Sequence, residues 1–560
     1  MDTRRAILWM IFIFSLLFLW NNWQVHTGKP SFFGTPAQRT ETAQATQGNG
    51  NGADDASVPA GIPAEAATTA SAVPAPAAAS ISAEPVVVTT DVLRLTFDPT
   101  GARIVRAELL KFPQESGSDQ PVVLLDNQPG VLVYTAESGV VGPQGSSFPT
   151  HRTPFAVTTT ERELAGDELR VSFEAVSGDL RVIKTYTLRR GSYDIHVTHT
   201  LHNQGSVPVS PAVYFQLTRD DSDPPGGSTF YSTFTGPAVY TEQDKFQKVD
   251  FSDIEKNKAS YARRADNGWI AMIQHYFVSA WVPQQGVPRT YDMAALGNGL
   301  FAVRAVESVG TLAPGASVEV PAQLWVGPQD QDALSAVAPG LDLVVDYGWL
   351  TIIAKPLFIF MTWLHSLLGN WGWTIVALTV IIKLVFFPLS AASYRSMARM
   401  RQLAPRLNAL REKYGDDKQK LNAAMMELYR TEKINPLGGC LPIAIQIPVF
   451  IALYWVLLAS VEMRDAPWIL WIHDLSARDP YFILPAIMMA TMFLQIKLNP
   501  TPPDPMQARI MMLMPLIFGG MMFFFPAGLV LYWVVNNILS IAQQWAITRK
   551  YSTGAAPAAR

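Results

Sequence analysis

The sequence predicts an α-helical polytopic membrane protein with six transmembrane helices, five of them in a C-terminal core, together with a large all-β sandwich domain and a helical hairpin. Long uncharged apolar runs near the start and in the last third of the chain flank a polar, β-like middle. The 560 residues are 49% hydrophobic and only 16% charged, which favours a membrane protein. A single cysteine excludes an intramolecular disulfide framework, and the net charge of -3 excludes no class of partner.

Residues 1–23 are predicted to form an N-terminal membrane anchor. Arg4 and Arg5 precede an apolar run that ends at Trp20. A cleavable signal peptide would end in small residues, whereas Trp20 and Trp23 suit a membrane interface, so an anchor is favoured over a signal peptide. The two arginines would stay in the cytoplasm and direct the following residues across the membrane.

The next two segments differ sharply in composition. Residues 24–84 are rich in Ala, Pro, Thr and Gly, so they bury too little apolar surface to offset the entropy of ordering, which predicts a disordered linker. Residues 85–340 alternate β-branched and aromatic residues between Gly, Pro, Asn and Asp turns, which predicts an all-β sandwich. No metal-ligand spacing such as HExxH occurs there. We therefore expect no metal site and no catalytic residues in this domain.

Apolar segments return in the last third of the chain. Residues 341–370 contain Lys355, Pro356 and His365 among Trp and Phe, which favours an amphipathic helix lying at the membrane interface. The other segments are predicted to be a second transmembrane helix at residues 371–391, four more transmembrane helices at 437–548, and a short cytoplasmic tail at 549–560.

Residues 392–436 are predicted to form a cytoplasmic helical hairpin, because apolar residues recur at three- and four-residue spacing on both sides of the turn YGDDKQK. The positive-inside rule places this basic segment in the cytoplasm, and six crossings give the same result, with both termini inside. Pairing of the two helices explains the apolar stripe by itself, and the basic outer face could meet anionic lipid or ribosomal RNA. The basic residues expected on that face are Arg399, Arg401, Arg406, Arg411, Lys413, Lys418 and Lys420.

Lys383 lies inside the apolar segment TIVALTVIIKLVFFPL. A lysine at the centre of a span costs about 2.5 to 3.5 kcal/mol on insertion scales, so it usually faces protein or water. Its position alone leaves open whether it snorkels to the cytoplasmic headgroups or lines a hydrated pocket. Other polar residues inside the predicted spans favour the pocket, although ordinary interhelical hydrogen bonds would also explain them. They are Thr379, Gln446, Asn536, Ser540 and Gln544.

The strings KINPLGGCLPIAIQIPVF, VEMRDAPWILWIHDLSARDPYFILP, DPMQARIMMLMP and FFPAGLVLYWVVNN resemble the YidC/Oxa membrane insertase family. The resemblance covers about residues 347–548. It implies a membrane protein insertase and chaperone of the inner membrane, with no enzymatic activity and no cofactor. The β domain would be periplasmic. The implied partners are nascent membrane proteins, the Sec translocon, the ribosome and inner-membrane lipids, and no small-molecule substrate is expected.

In that family a positively charged residue lines a hydrophilic groove that is open to cytoplasm and lipid, and Lys383 stands at that position. Many members from Gram-negative bacteria have arginine there. Lysine keeps the charge but lacks the planar fork of donors. The resemblance also implies a groove position for Trp533, where tyrosine is common. The full groove set expected is Lys383, Thr379, Gln446, Trp533, Asn536, Ser540 and Gln544.

The sequence leaves two other classes of function open. A secondary transporter or channel would use the same intramembrane polar residues, but no internal repeat is visible in the sequence. A membrane enzyme is less favoured, since the chain has no HExxH, GxSxG or P-loop string.

Overall fold

The computed structural model describes residues 57–59, 84–115, 117–143, 146–222, 224, 233–414, 417–432, 441–498 and 505–552. The chain divides into two compact units. One spans Gly28–Asp346, called the β unit below, and the other comprises Met1–Thr27 with Tyr347–Arg560, called the helical unit. The predicted anchor at 1–23, most of the predicted linker and the end of the tail lie outside the described residues.

The β unit is built from antiparallel strands. Its first nine described strands are β1 (Val86–Thr89), β2 (Leu93–Asp98), β3 (Arg103–Pro113), β4 (Pro121–Gln128), β5 (Leu132–Val141), β6 (Ala156–Val157), β7 (Glu168–Ser177), β8 (Leu180–Arg189) and β9 (Asp194–Asn203). The next nine are β10 (Ala212–Asp220), β11 (Gly236–Thr241), β12 (Lys245–Lys248), β13 (Arg264–Ala265), β14 (Trp269–Gln274), β15 (Phe277–Pro283), β16 (Arg289–Gly297), β17 (Leu300–Ser308) and β18 (Ser317–Pro328).

These strands form two nine-stranded sheets, in the orders β1-β2-β3-β4-β5-β10-β17-β16-β13 and β12-β11-β14-β15-β18-β9-β8-β7-β6. The sheets meet through their inner faces. The Tyr134 hydroxyl donates to the Met272 carbonyl at 3.1 Å, and the Phe215 ring lies 5.1 Å from that of Trp281. Burial alternates along β8 and β9 as the period of a strand requires. The predicted all-β sandwich is therefore confirmed.

The described part of the β unit contains two short helices, α1 (Phe251–Glu255) and α2 (Gln331–Val337). The 3₁₀ turn Leu341–Val344 follows α2, and both of its end residues are buried in an apolar cluster with Trp269 and Leu334. The β unit therefore extends to Asp346, beyond the predicted boundary at residue 340, because these residues complete its core.

The predicted linker also needs a correction. Ser57–Pro59 is described, and Val58 packs against buried residues of the β unit. Composition alone did not reveal this contact, since two apolar residues in an Ala-rich segment carry no periodic signal.

The helical unit contains eight described helices. They are α3 (Thr351–Leu368), α4 (Trp371–Val385), α5 (Phe387–Tyr414), α6 (Lys418–Thr431), α7 (Leu441–Ala459), α8 (Ile483–Leu498), α9 (Pro505–Met522) and α10 (Ala527–Ser552), with 3₁₀ turns at Gly348–Leu350 and Val461–Met463.

Helix α3 is long and apolar enough to cross a membrane, whereas the sequence predicts an interfacial helix there. Ala354, Phe358, Met361 and Leu364 form its buried face. The opposite face is apolar as well, with Ile352 85% exposed. An interfacial position for α3 stays a prediction.

The predicted second transmembrane helix at 371–391 is broken. Helices α4 and α5 meet at Phe386 with a bend of 66° and together give one further candidate span. Pro388 lies in the first turn of α5, where a missing N–H is tolerated, but it cannot continue the hydrogen bonding of α4. The other apolar stretches are shorter, at 10 to 17 residues: Gln446–Ala459 within α7, Ile483–Leu498 (α8) and Arg509–Met522 within α9. The count of six crossings therefore stays a prediction.

The two helices of the predicted hairpin are present. Leu403 and Leu407 of α5 are buried against Met425, Leu428 and Tyr429 of α6. The turn between them ends at Asp417, whose Oδ1 accepts hydrogen bonds from the Gln419 and Lys420 amides and so caps α6. The apolar periodicity thus predicted the pairing, while α5 begins at Phe387 rather than at the predicted residue 392.

Candidate functional site

Lys383 lies in the last turn of α4 and is only 5% exposed. Its Nζ donates a hydrogen bond of 2.8 Å to Ser540 Oγ on α10. Ser540 Oγ in turn donates to the Asn536 carbonyl at 2.7 Å. Within the described part of the chain, no ion pair to a carboxylate forms at Lys383. The structure thus gives the Lys383 cation a neutral hydroxyl as its hydrogen-bond partner.

A second polar pair lies one turn earlier on α10. Gln446 Nε2 on α7 donates to Asn536 Oδ1 at 3.0 Å. Asn536 and Ser540 are four residues apart on one helix, so they share a face. The Tyr394 hydroxyl, from the start of α5, also interacts with Ser540. Helices α4, α5 and α7 therefore converge on the same polar stripe of α10.

Two of the predicted groove residues make their hydrogen bonds elsewhere. Thr379 is buried one turn before Lys383, but its Oγ1 donates to the Ile375 carbonyl of its own helix at 2.7 Å. Gln544 Nε2 donates to the Leu498 carbonyl at the end of α8, at 3.2 Å. Thr379 and Gln544 thus lie on α4 and α10, the helices that carry Lys383 and Ser540, but these two hydrogen bonds do not involve that pair.

Trp533 belongs to an aromatic group on three helices. Its ring centroid lies 4.4 Å from that of Phe450 on α7 and 5.5 Å from that of Phe518 on α9. The indole Nε1 is buried and has no hydrogen-bond partner among the described residues. Trp533 is therefore the one predicted groove residue that presents both an apolar ring and an unused donor.

Sequence reasoning missed Tyr394 and the aromatic partners Phe450 and Phe518. Phe450 lies four residues after Gln446 and so on the same face of α7, a signal that the sequence does contain. Tyr394 could not be found in the same way. It contacts Ser540 from the segment that follows the break at Phe386. The sequence around Phe386 is continuously apolar, so it gives no sign of that break.

The loop formed by residues 460–482, between α7 and α8, makes hydrogen bonds to the first turns of both α4 and α10. The Asn370 side chain, which caps α4, donates to the Pro467 carbonyl at 2.9 Å. The amides of Ala527 and Gly528 donate to the carbonyls of Ala477 and Leu475 at 2.7 and 2.8 Å. Lys383 is twelve residues after Trp371, or about 18 Å along the helix. The loop therefore covers the end of α4 that is opposite to the cation.

The basic residues predicted on the hairpin are exposed where they are described. Arg406 is paired with Glu432 at 2.6 Å and Lys420 with Asp417 at 3.1 Å. Arg399 and Lys413 are also exposed. The side chains of Arg401, Arg411 and Lys418 lie outside the described set. Among the residues described, no group of three or more His, Cys, Asp or Glu could hold a metal ion.

Comparison with known proteins identifies the family. Residues 85–360 match the family model of the YidC periplasmic domain, and residues 363–554 match that of the 60Kd inner membrane protein. The membrane protein insertase YidC of Bordetella parapertussis is 69% identical over the full length of both chains. The chain belongs to the YidC family of membrane protein insertases. The YidC insertase of Cupriavidus necator is 53% identical over 99% of each chain.

A crystal structure of an active YidC insertase with its first transmembrane domain resolved is also similar. It is 21% identical, and the match covers 82% of this chain and 92% of that chain with a TM-score of 0.38. Membership of the YidC family confirms the predicted function in membrane protein insertion, the inner-membrane location and the absence of enzymatic activity. The transporter alternative is not favoured.

Proposed function

We propose that the chain inserts newly synthesised inner-membrane proteins and helps them fold through a groove in which Lys383 receives the polar or acidic segment of the client. The observation that carries the proposal is the 2.8 Å hydrogen bond from the buried Lys383 ammonium to the neutral Ser540 hydroxyl. A buried cation without a counter-ion is costly. A client carboxylate would form a stronger, charge-assisted hydrogen bond with it than the hydroxyl does.

The groove has a polar and an apolar side. Lys383, Ser540, Asn536 and Gln446 supply the polar side, on which the translocated client segment would be solvated. Trp533 and its aromatic neighbours supply an apolar side. An apolar client segment would leave the groove sideways into lipid, past these aromatic residues, driven by burial of its own apolar surface. This division matches a client protein whose polar N-terminal tail is followed by an apolar first transmembrane helix.

The topology and the further partners belong to the same proposal. Six crossings would place both termini and the hairpin in the cytoplasm and the β unit in the periplasm. The exposed Arg399 and Lys413 support a contact of the hairpin with ribosomal RNA or anionic lipid. The exposed apolar face of α3, with Ile352 and Ile359, supports contact with lipid. The Sec translocon is proposed on the family resemblance alone.

Thiol accessibility tests the hydrated groove. In a chain with Cys440→Ser, cysteine replaces either Asn536, on the polar stripe, or Ile538, which is 48% exposed on another face of α10. We expect aqueous maleimide from the cytoplasmic side to label the first cysteine and not the second. A stalled client chain should protect the first. If the cysteine at 536 is as inaccessible as that at 538, the proposed groove is wrong.

Photo-crosslinking then tests the client contact directly. A photoreactive amino acid at Gln446 is expected to crosslink to a stalled nascent membrane protein, with the same amino acid at Ile538 as the control. Adducts with lipid alone from Gln446, while insertion continues, would rule out client passage along the polar stripe. Solute uptake by reconstituted protein would instead support the transporter alternative.

A further inference from the structure

One face of the first sheet of the β unit is turned away from the second sheet. Phe215 of β10 contacts Trp281 across the sandwich, so its neighbours Tyr214 and Gln216 point to the opposite side. We call the side of β5, β10 and β17 that carries Val141, Ala212, Tyr214, Arg304 and Val306 the docking face.

The docking face is buried although it lies on the side of its sheet opposite to the Phe215–Trp281 contact. Tyr214 and Gln216 are both fully buried, and Arg304 is 4% exposed. His151 covers part of the face, with its Nδ1 2.6 Å from the Tyr214 hydroxyl. Gly139 makes room for this tyrosine, since an added Cβ would come within 2.5 Å of the hydroxyl oxygen.

Ser57–Pro59 covers another part of the docking face. Val58 packs against the buried cluster of Val141, Ala212 and Tyr214. Arg304 Nη2 donates to the Ser57 carbonyl at 3.2 Å, and Pro59 is buried. These three residues are described in the middle of a segment that the sequence predicts to be a disordered linker.

The guanidinium of Arg304 is held in position for this contact by its other donors. Its Nε donates to Gln216 Oε1 at 2.7 Å and its Nη1 to Asp292 Oδ2 at 3.4 Å. The site thus offers an oriented donor to a main-chain carbonyl beside an apolar surface for one valine and one proline. An extended peptide that combines those features is the ligand chemistry that the face fits.

We propose that Ser57–Pro59 is a clasp that docks on this face and shortens the tether between the N-terminal anchor and the β unit. Docking leaves residues 24–56, about half of the predicted linker, between the two. The sequence-based prediction of a flexible linker gives a segment of that length a root-mean-square span of about 30 Å, against about 45 Å for the whole linker. The clasp would therefore shorten the N-terminal connection of the β unit.

Disulfide formation in the full chain tests the docking. In a Cys440→Ser background, Val58→Cys is combined with Val306→Cys on the docking face, or with Val176→Cys, which is 54% exposed on β7 of the other sheet. We expect the 58–306 pair to crosslink under mild oxidation at least five times more than the 58–176 pair, as read from gel mobility without reductant. Equal yields, or no 58–306 product, would overturn the proposal.

A second experiment measures shielding of the docking face. Maleimide labelling of Val306→Cys in the full-length chain should be several times faster when Val58→Asp is also present, because the clasp no longer covers the face. An added peptide of residues 52–62, GADDASVPAGI, should restore slow labelling, and the same peptide with aspartate in place of Val58 should not. An unchanged rate in the Val58→Asp chain, or equal effects of the two peptides, would overturn the proposal.

Discussion

Substitutions of Lys383 test whether insertion depends on a positive charge in the proposed groove. Lys383→Arg keeps the charge and should retain most insertion of a client with an acidic tail. Lys383→Glu should reduce that insertion at least tenfold, since it reverses the charge proposed to meet the client. The measurement is protease protection of a single-span client inserted by proteoliposomes. Equal activity of the two variants would contradict an electrostatic role.

Ser540 provides the matched control for that comparison. Ser540→Ala removes the hydroxyl that accepts the Lys383 hydrogen bond, but it leaves the charge in place. We expect a smaller loss than with Lys383→Glu, and Ser540→Thr, which restores the hydroxyl, should recover activity. If Ser540→Ala is as harmful as Lys383→Glu, the hydroxyl itself rather than the charge is required.

The buried His151 should make the stability of the β unit depend on pH. Burial lowers the pKa of His151 to about 4 from the ordinary 6.5, with the nearby Glu137 opposing the shift. The unfolded chain therefore binds more protons between those pH values, and the free energy of unfolding should fall by up to about 3 kcal/mol as pH drops from 6.5 to 4. Burial also lowers the pKa of His199, with the same sign.

Urea unfolding of the full chain in detergent, followed by the fluorescence of buried tryptophans such as Trp269 and Trp281, measures this dependence. His151→Gln should flatten the slope between pH 6.5 and 4 only in part, because His199 and carboxyl groups with a shifted pKa, such as Glu137, also contribute. An unchanged slope would show that His151 is already protonated in the folded domain.

The sequence marks the polar residues of the proposed groove but not their pairing. Composition alone marks Lys383 and Gln446 as exceptional, because each interrupts an apolar run. Their partners Ser540 and Asn536 are 157 and 90 residues away, so the pairs depend on how the helices pack. Thr379 illustrates the limit, since it is near Lys383 in sequence yet bonds to its own helix.

Among the elements, the packing of the loop at residues 460–482 on α4 depends on Gly372. A Cβ at Gly372 would come within 2.2 Å of Trp468 Cδ1, and the Trp468 ring already packs edge-on against Trp373. Gly372→Ala should therefore displace the loop and cost about 1 to 3 kcal/mol of stability. The measurement is the thermal unfolding midpoint of the full chain in detergent.

Gly520 of α9 is the control for this prediction. An added Cβ there meets no heavy atom within 4 Å, and alanine is favoured over glycine inside a helix by about 1 kcal/mol. Gly520→Ala should thus leave the midpoint unchanged or raise it slightly. A fall as large as that of Gly372→Ala would mean that the loop contact is not the cause.

Local patterns explain which elements could be predicted. The alternation along β8 and the apolar stripe of α5 and α6 are set by the period of each element, so they are visible in the sequence. The break at Phe386 is not visible, because the residues on both sides of it are apolar and Pro388 is tolerated in the first turn of a new helix. The clasp at Ser57–Pro59 depends on a tertiary contact and carries no local signal.

For the whole molecule, the division into two units predicts that insertion does not require the β unit. All predicted groove residues, from Thr379 to Gln544, lie in the helical unit, whereas the clasp and its docking face lie in the β unit. A chain that lacks residues 57–346 should therefore insert a single-span client with a short tail within about twofold of the full chain. Protease protection in proteoliposomes measures this, and Lys383→Glu in the shortened chain should reduce insertion as much as in the full chain. If the shortened chain folds but loses insertion while its helical unit retains the accessible cysteine at position 536, the β unit takes part in the reaction and the division of roles is wrong.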